Sequence, residues 1–179
     1  MPGIAGAGED RLFLGGAELS SGNSYAYVGL VAPLTKKDES GSGFVQRYWA
    51  DWLTYTYNKN AEEIQAQAWG AEAAIGYILA GRAGWSGFYV GGVLRDTTTS
   101  PEDRENVADG THLRLKFQLE GELTPANWRI AGIAAYITGQ EQYWMRARVL
   151  HSVGDHLWTG PELIYQVFRG ARKREIALA

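Results

Sequence analysis

Residues 111–120 alternate between apolar and polar side chains with almost no exception. The apolar positions that share one face are Leu113, Leu115, Phe117 and Leu119. A period of two predicts a β-strand with one dry face and one charged face. Weaker versions of the pattern recur along nearly the whole chain. We therefore expect an all-β protein whose antiparallel up-and-down sheet closes into a barrel.

About ten strands are expected, near residues 10–20, 24–35, 44–57, 62–79, 85–95, 111–122, 128–137, 142–151 and 157–167, with the tenth from about residue 172. Residues 96–110 are predicted to form a long polar loop. Residues 1–9 are expected to be a disordered or trimmed segment, since they lack both the charged start and the long apolar core of a signal peptide. Residues 10–179 are expected to form a single barrel domain.

The segment 62–79 is ambiguous between strand and helix. Asn60 with Glu63 three residues later resembles a helix capping box, and many alanines follow. Against a helix, Gly70 and Gly76 would each cost about 1 kcal/mol relative to alanine. The alternation of residues 69–77 favours a strand, and the helix stays open as the alternative.

Composition narrows the function classes. The chain has 179 residues, a net charge of −3 and no cysteine, so nothing indicates a nucleic-acid partner, and disulfides and thiolate metal sites are excluded. No apolar run approaches the 18 residues or so of a transmembrane helix. The chain is rich in glycine (23), tryptophan (7) and tyrosine (10). Such a composition is compatible with a membrane barrel, which hides a half-polar sequence by turning alternate residues toward lipid.

Charges of both signs occur in the middle of the predicted strands. In a narrow barrel interior they would have to pair, whereas on the wet face of a soluble sheet they would need no partners. The charges alone leave both interpretations open. The predicted interior charge network consists of Glu18, Arg47, Asp51, Glu72, Arg114, Lys116, Glu120, Arg146, Arg148 and Glu162.

Aromatic residues cluster at the ends of the predicted strands and favour the membrane interpretation. One rim would carry Tyr77, Trp85, Trp128 and Trp158, and the opposite rim Tyr55, Tyr57, Tyr136, Tyr143 and Trp144. Two rings of tryptophan and tyrosine are typical of the girdles of a transmembrane β-barrel.

Residues 95–103 read Arg-Asp-Thr-Thr-Thr-Ser-Pro-Glu-Asp. They resemble the Arg-Asp-Thr-x-x-Ser-Pro-x-Asp signature of the cellulose biosynthesis protein BcsS family. Other parts of the same family resemble residues 51–57, 70–77, 142–148 and 160–162. The resemblance implies a bacterial outer-membrane β-barrel that acts beside the cellulose synthase machinery. The matching loop positions, which form a candidate binding loop, are Arg95, Asp96, Thr97, Ser100, Pro101 and Asp103.

Two candidate chemical sites are weak. His151, Ser152, Asp155 and His156 have the residue types of a hydrolase triad but lie in one turn-like segment. His112 with Glu120 and Glu122 matches no metal-ligand spacing. We therefore expect no catalysis, cofactor or metal, with outer-membrane lipid as a partner and cellulose or cellulose synthase components as candidate partners. The alternatives are a soluble lipocalin-like barrel that binds a small ligand and an outer-membrane lipid-modifying enzyme.

Overall fold

The computed structural model describes residues 4–8, 11–20, 23–59, 62–102, 109–139, 142–153, 157–168 and 171–178. These residues form strands joined by turns and loops. The strands are β1 (Ile4–Gly8), β2 (Arg11–Ser20), β3 (Asn23–Pro33), β4 (Gly43–Lys59), β5 (Glu62–Gly81), β6 (Gly84–Ser100), β7 (Gly110–Leu123), β8 (Trp128–Ile137), β9 (Gln142–Ser152), β10 (Trp158–Thr159), β11 (Pro161–Phe168) and β12 (Ala171–Leu178). Within the described part of the chain, no helix is long and apolar enough to cross a membrane.

Strands that are neighbours in the sequence are also neighbours in the sheet. The hydrogen-bonded order is β1-β2-β3-β4-β5-β6-β7-β8-β9-β11-β12, and the short β10 also pairs with β9. The ladders of β7 with β8 and of β8 with β9 are antiparallel, as are those of β2 with β3 and β11 with β12. This confirms the prediction of an all-β, antiparallel, up-and-down sheet of about ten strands.

The ambiguous segment is a single strand, β5, of 20 residues. Its side chains alternate between exposed and buried over nearly its whole length, which is the period of a strand and not of a helix. Gly76 has a packing reason to be glycine, because a Cβ atom there would lie 2.6 Å from the carbonyl oxygen of Phe88 and 2.5 Å from the ring of Tyr89. The glycines that argued against a helix thus permit close approach between strands.

Three boundaries differ from the predicted ones. Ile4–Gly8 forms β1 and pairs with β2, where we expected no strand. β6 continues through Ser100, so that residues 96–100 of the predicted polar loop 96–110 are strand. The predicted strand 157–167 is interrupted at Gly160, where a Cβ atom would lie 2.0 Å from the carbonyl oxygen of Val149. The predicted tenth strand is present as β12, which pairs with β11.

Two compact units make up the chain. The first comprises Met1–Pro33, Gln46–Ala74 and Gly91–Arg114, and the second comprises Leu34–Val45, Ile75–Val90 and Leu115–Ala179. In the first unit, the Tyr27 ring stacks on Trp49 at 4.7 Å between centroids, and the Trp49 ring lies directly over Gly29. In the second unit, the registers of β7, β8, β9 and β11 are continuous over six to ten residue pairs. The prediction of one domain stays a prediction.

The described side chains bury little apolar material. Nine hydrophobic residues are buried, and the one large side chain less than 2 % exposed is Val45. In contrast, 27 large hydrophobic residues are exposed, and the buried polar residues include Arg47, Glu72, Gln118 and Glu162. Buried charged side chains beside many exposed large apolar ones are the informative feature of this distribution.

Candidate functional site

Large apolar side chains are exposed along one side of the long strands β5 and β7. On β7 the exposed fractions of Leu113, Leu115 and Leu119 are 77 %, 55 % and 57 %. The residues that alternate with these leucines are more buried, and Gln118 is only 3 % exposed. On β5, Ile75 is 60 % exposed whereas Glu72 is 8 % exposed. We call the side of a strand that carries such residues its apolar face and the opposite side its charged face.

The charged face of the first unit holds two ion pairs. Arg47 Nε lies 3.2 Å from Glu72 Oε1, and both side chains are less than a tenth exposed. The Arg47 guanidinium also lies 4.7 Å from the centroid of the Trp49 ring, within the range of a cation–π contact. Arg95 Nη2 donates a hydrogen bond to Asp51 Oδ1 at 2.5 Å.

Gly70 makes room for the pair between Asp51 and Arg95. A Cβ atom on Gly70 would lie 2.7 Å from Asp51 Oδ2 and 2.9 Å from Arg95 Nη2. Any larger residue would push these charged groups away from one another. The absence of a side chain on β5 at this level is therefore part of the ion-pair geometry.

In two ion pairs of the second unit, two nitrogens of one guanidinium donate to a single carboxylate oxygen, and one of the carboxylates also lies near a second arginine. Glu162 Oε2 accepts hydrogen bonds from Arg146 Nε at 2.8 Å and from Arg146 Nη2 at 2.6 Å. Glu122 Oε1 accepts two hydrogen bonds from Arg129, at 3.1 and 2.7 Å, and Glu122 Oε2 lies 3.8 Å from Arg148 Nη2. The side chain of Glu162 is 8 % exposed and that of Glu122 is 14 % exposed. Each of these carboxylates has a guanidinium partner, as a largely buried anion requires.

The structure groups most of the predicted charges. Arg47, Asp51, Glu72, Arg146, Arg148 and Glu162 take part in the ion pairs above, and Glu120 accepts a hydrogen bond from Gln118 at 2.7 Å. Arg114 and Lys116 lie in step with Gln118 on the charged face of β7 and are half-buried. The side chain of Glu18 lies outside the described side chains.

Three partners were missed by the sequence prediction: Arg95, Glu122 and Arg129. Arg95 is the last residue of the predicted strand 85–95 and was grouped with the candidate binding loop, not with the strand charges. Glu122 follows Glu120 by two residues and therefore shares its face. Arg129 follows Trp128, and the two residues point to opposite faces. All three lie within one residue of an end of a predicted strand, 85–95, 111–122 or 128–137, and following the alternation as far as those ends would have found them.

The predicted aromatic rings divide between the two faces. Tyr77, Trp128 and Tyr143 are exposed on the apolar face, and Tyr136 stacks on its register partner Tyr143 at 4.7 Å between centroids. Trp85 is also exposed, but it alternates in step with the buried Gly87 and Tyr89 and so lies on the charged face at the end of β6, which corrects its assignment to a girdle. The remaining four, Tyr55, Tyr57, Trp144 and Trp158, share the charged face, which corrects their assignment to an outer girdle. Trp158, for example, lies 5.5 Å from the Arg129 guanidinium. Position near a strand end does not set the face, because a shift of one residue reverses it. Two exposed tryptophans, Trp52 and Trp69, were missed.

The 95–103 motif serves largely to hold β6 in place. Arg95 pairs with Asp51 on β4, and the Asp96 carboxylate accepts a hydrogen bond from the Thr111 hydroxyl on β7. Thr97 and Thr99 are buried, Ser100 ends the strand and Pro101 follows it. This corrects the assignment of Arg95, Asp96, Thr97 and Ser100 to a loop. Asp103 lies outside the described residues, and a binding role for the segment stays a prediction.

The two weak chemical sites gain no support. Of the triad candidates, Asp155 and His156 lie outside the described residues, and the His151 ring packs edge-on against Trp128 at 4.6 Å between centroids. Among the described residues, no group of three or more His, Cys, Asp or Glu side chains is arranged to hold a metal ion.

Comparison with protein families assigns the chain. The model of the cellulose biosynthesis protein BcsS family matches residues 12–177. The chain belongs to this family. The resemblance predicted from the 95–103 motif is thereby confirmed, and the family description gives the chain a role in cellulose biosynthesis. Comparison with curated proteins and with solved structures found no match.

Proposed function

We propose that the chain is a non-enzymatic β-barrel of the bacterial outer membrane that acts as an accessory component in cellulose biosynthesis or export. The observation that carries this proposal is the inverted polarity of the strands. Large apolar side chains are exposed, while both partners of the Arg47–Glu72 pair and the carboxylate of the Arg146–Glu162 pair are buried. Lipid satisfies the first group and mutual pairing satisfies the second.

The amount of exposed apolar surface argues for lipid as the partner. Soluble monomers rarely expose contiguous apolar patches larger than a few hundred Å². On β7 alone, Leu113, Leu115, Phe117 and Leu119 follow one another at every second position; all four are exposed, and the three leucines are more than half exposed. Transfer of such side chains out of water is favourable by about 1.5–3 kcal/mol each when burial is complete. Hydrocarbon tails supply that burial without any further protein.

Strand dimensions fit a tilted membrane crossing. On β5 the exposed apolar run extends from Trp69 to Leu79, a stretch of about 33 Å at roughly 3.3 Å per residue. A tilt of about 40° reduces this length to a height of about 25 Å, which is the height of the apolar band on membrane barrels. A closed sheet also leaves no strand edge unpaired in lipid, and for that reason we propose closure.

An accessory role suits a barrel of this size better than a wide pore. Eight strands enclose an interior that side chains fill, whereas open aqueous channels need about sixteen. Large aromatic side chains and paired arginines on the charged face would occupy much of the interior of a barrel of about ten strands. The chain would therefore anchor or position other components, with cellulose or cellulose synthase components as candidate partners, instead of conducting glucan by itself.

The membrane part of the proposal is tested by electrophoresis after folding in detergent. A closed membrane barrel resists denaturation by dodecyl sulfate until it is boiled, so the unheated sample should migrate apart from the boiled one. Identical migration, together with a monodisperse monomer in detergent-free buffer, would support the soluble lipocalin-like alternative instead. Fractionation of bacterial envelopes then tests the location, with recovery in the inner membrane or in the soluble fraction counting against it.

The cellulose role needs a genetic test. Deleting the gene should lower the amount of extracellular cellulose, and the intact gene should restore it. A Ser152→Ala variant should restore it equally well, since no catalysis is proposed. Unchanged cellulose after deletion would contradict the accessory role, and failure of the Ser152→Ala variant to restore it would favour the lipid-modifying enzyme.

A further inference from the structure

The outward chemistry of β5 changes at Trp69. From Trp69 to Leu79, the exposed residues are tryptophan, alanine, isoleucine, tyrosine and leucine. Before Trp69, the exposed residues at the same alternate positions are Glu63, Gln65 and Gln67. The strand continues without interruption through the change. One strand therefore presents two different surfaces along its length.

Three neighbouring strands change in the same way. On β4 the outward residues Tyr48, Ala50 and Trp52 are followed by Thr54, Thr56 and Asn58. On β6 the outward side passes from Leu94 to Asp96, Thr98 and Ser100. On β7 it passes from Leu113 back to Thr111. A change on one strand could be accidental, but all four strands change from apolar to polar toward the same end.

Contacts within the first unit show that the four changes lie at one level. Asp51 and Arg95 meet over Gly70, which aligns β4, β5 and β6 at these residues. The next residues, Trp52, Trp69 and Asp96, therefore lie at that level on the opposite face. The hydrogen bond between Asp96 and Thr111 extends the line to β7. We call the line through Trp52, Trp69, Asp96 and Thr111 the boundary line.

The buried side chains of β5, on its charged face, also change in polarity at the boundary line, from charged to apolar. On the apolar side of the boundary line, β5 buries Glu72, which is 8 % exposed. Beyond the line, β5 buries Ile64, Ala66 and Ala68, which are 4 %, 3 % and 2 % exposed. Exposed glutamine over buried alanine and isoleucine is the arrangement of a half-buried strand in water. The same strand thus has an inverted part and an ordinary part.

From this geometry we infer that the boundary line marks one surface of the bilayer, and that the parts of β4, β5, β6 and β7 beyond it stand in water as a continuation of the sheet. The inference deepens the proposed membrane function and rests on it. Trp52 and Trp69 suit this position because tryptophan prefers the level of the lipid headgroups. Strand length requires such a projection, because β5 has 20 residues whereas a tilted crossing takes about 9–11.

Single-cysteine spin labelling tests the inference, and the chain is suited to it because it contains no cysteine. The variants are Gln65→Cys and Gln67→Cys beyond the line, with Ala71→Cys and Ala73→Cys as matched controls on the same exposed side of β5. Each labelled protein is reconstituted into phosphatidylcholine vesicles. Power saturation then compares collision of the label with oxygen, which partitions into lipid, and with a nickel chelate, which stays in water.

The expected ratio of oxygen to nickel collision exceeds one at positions 71 and 73 and falls below one at positions 65 and 67. A second pair on β4, Ala50→Cys and Thr56→Cys, should change in the same direction. Oxygen-dominated collision at all six positions would overturn the boundary while leaving the membrane proposal intact. Nickel-dominated collision at all six positions would overturn the membrane proposal and the boundary together.

Discussion

Replacing Glu72 by glutamine removes one charge from a deeply buried ion pair and changes the side-chain volume little. The side chains of Arg47 and Glu72 are 7 % and 6 % exposed, so the variant would leave the Arg47 guanidinium buried without its carboxylate. Breaking one side of a buried pair costs about 3–5 kcal/mol. We expect a loss near the lower end, about 3 kcal/mol, because the Trp49 ring still faces the guanidinium. That loss corresponds to about a hundredfold change in the unfolding equilibrium.

The assay is urea unfolding of the protein folded in detergent micelles, followed by tryptophan fluorescence. Glu63→Gln is the matched control, because Glu63 is an exposed acid on the same strand. A double variant, Arg47→Met with Glu72→Leu, removes both charges and should recover stability to within about 1 kcal/mol of the original protein. Equal stability of Glu72→Gln and Glu63→Gln would refute the pairing argument.

Three further predictions use other parts of the chain. Gly29→Ala should cost about 1–3 kcal/mol in the same unfolding assay, because a Trp49 ring atom lies 2.2 Å from the new Cβ position. Gly92→Ala is the control and should be nearly neutral, because the nearest atom to its new Cβ position lies at 3.7 Å. Equal losses of stability in the two variants would contradict the packing argument. Leu115→Arg should cost about 2–4 kcal/mol in vesicles, because Leu115 lies near the middle of the apolar band, and Thr111→Arg about 1 kcal/mol or less, whereas on a water-exposed sheet both would be neutral. In the loop before β4, the hydrogen bond from the Ser40 hydroxyl lowers the pKa of Asp38 below 3.8. The ionised carboxylate therefore stabilises the loop above pH 3.8, and this contribution is lost as the pH falls through the lowered pKa. The difference in melting temperature between the original protein and Asp38→Ala should accordingly vanish in strong acid, and a constant difference at every pH would contradict the assignment.

Periodicity predicted the strands well because successive side chains of a strand point to opposite faces. The alternation of leucine with charged residues on β7 was sufficient to predict both its strand structure and its two faces. The 20-residue β5 was harder to predict, because its alanines favour a helix and its glycines do not. Its strand structure depends on contacts with β6, such as that of Gly76 with Tyr89, which are absent from local sequence.

The ion-pair partners and the aromatic faces were predicted less completely. Pairing joins residues far apart in sequence, such as Asp51 with Arg95, so composition could indicate charged residues but not their partners. The aromatic prediction grouped residues by closeness to a turn, whereas the face depends on whether an odd or even number of residues separates them. Trp144 and Tyr143 are adjacent and therefore lie on opposite faces. The polarity change at Trp69 is present in the sequence, but its meaning depends on the alignment of four strands.

Sedimentation of the folded protein with and without detergent tests the central claim most directly. That claim is that the exposed leucines and tryptophans contact lipid while the arginines and carboxylates of the charged face neutralise each other. In detergent above its critical concentration, we predict a single species with bound detergent, and on dilution below that concentration we predict aggregation. A protein that remains a folded monomer in detergent-free buffer, and that binds no detergent when it is present, would contradict the account.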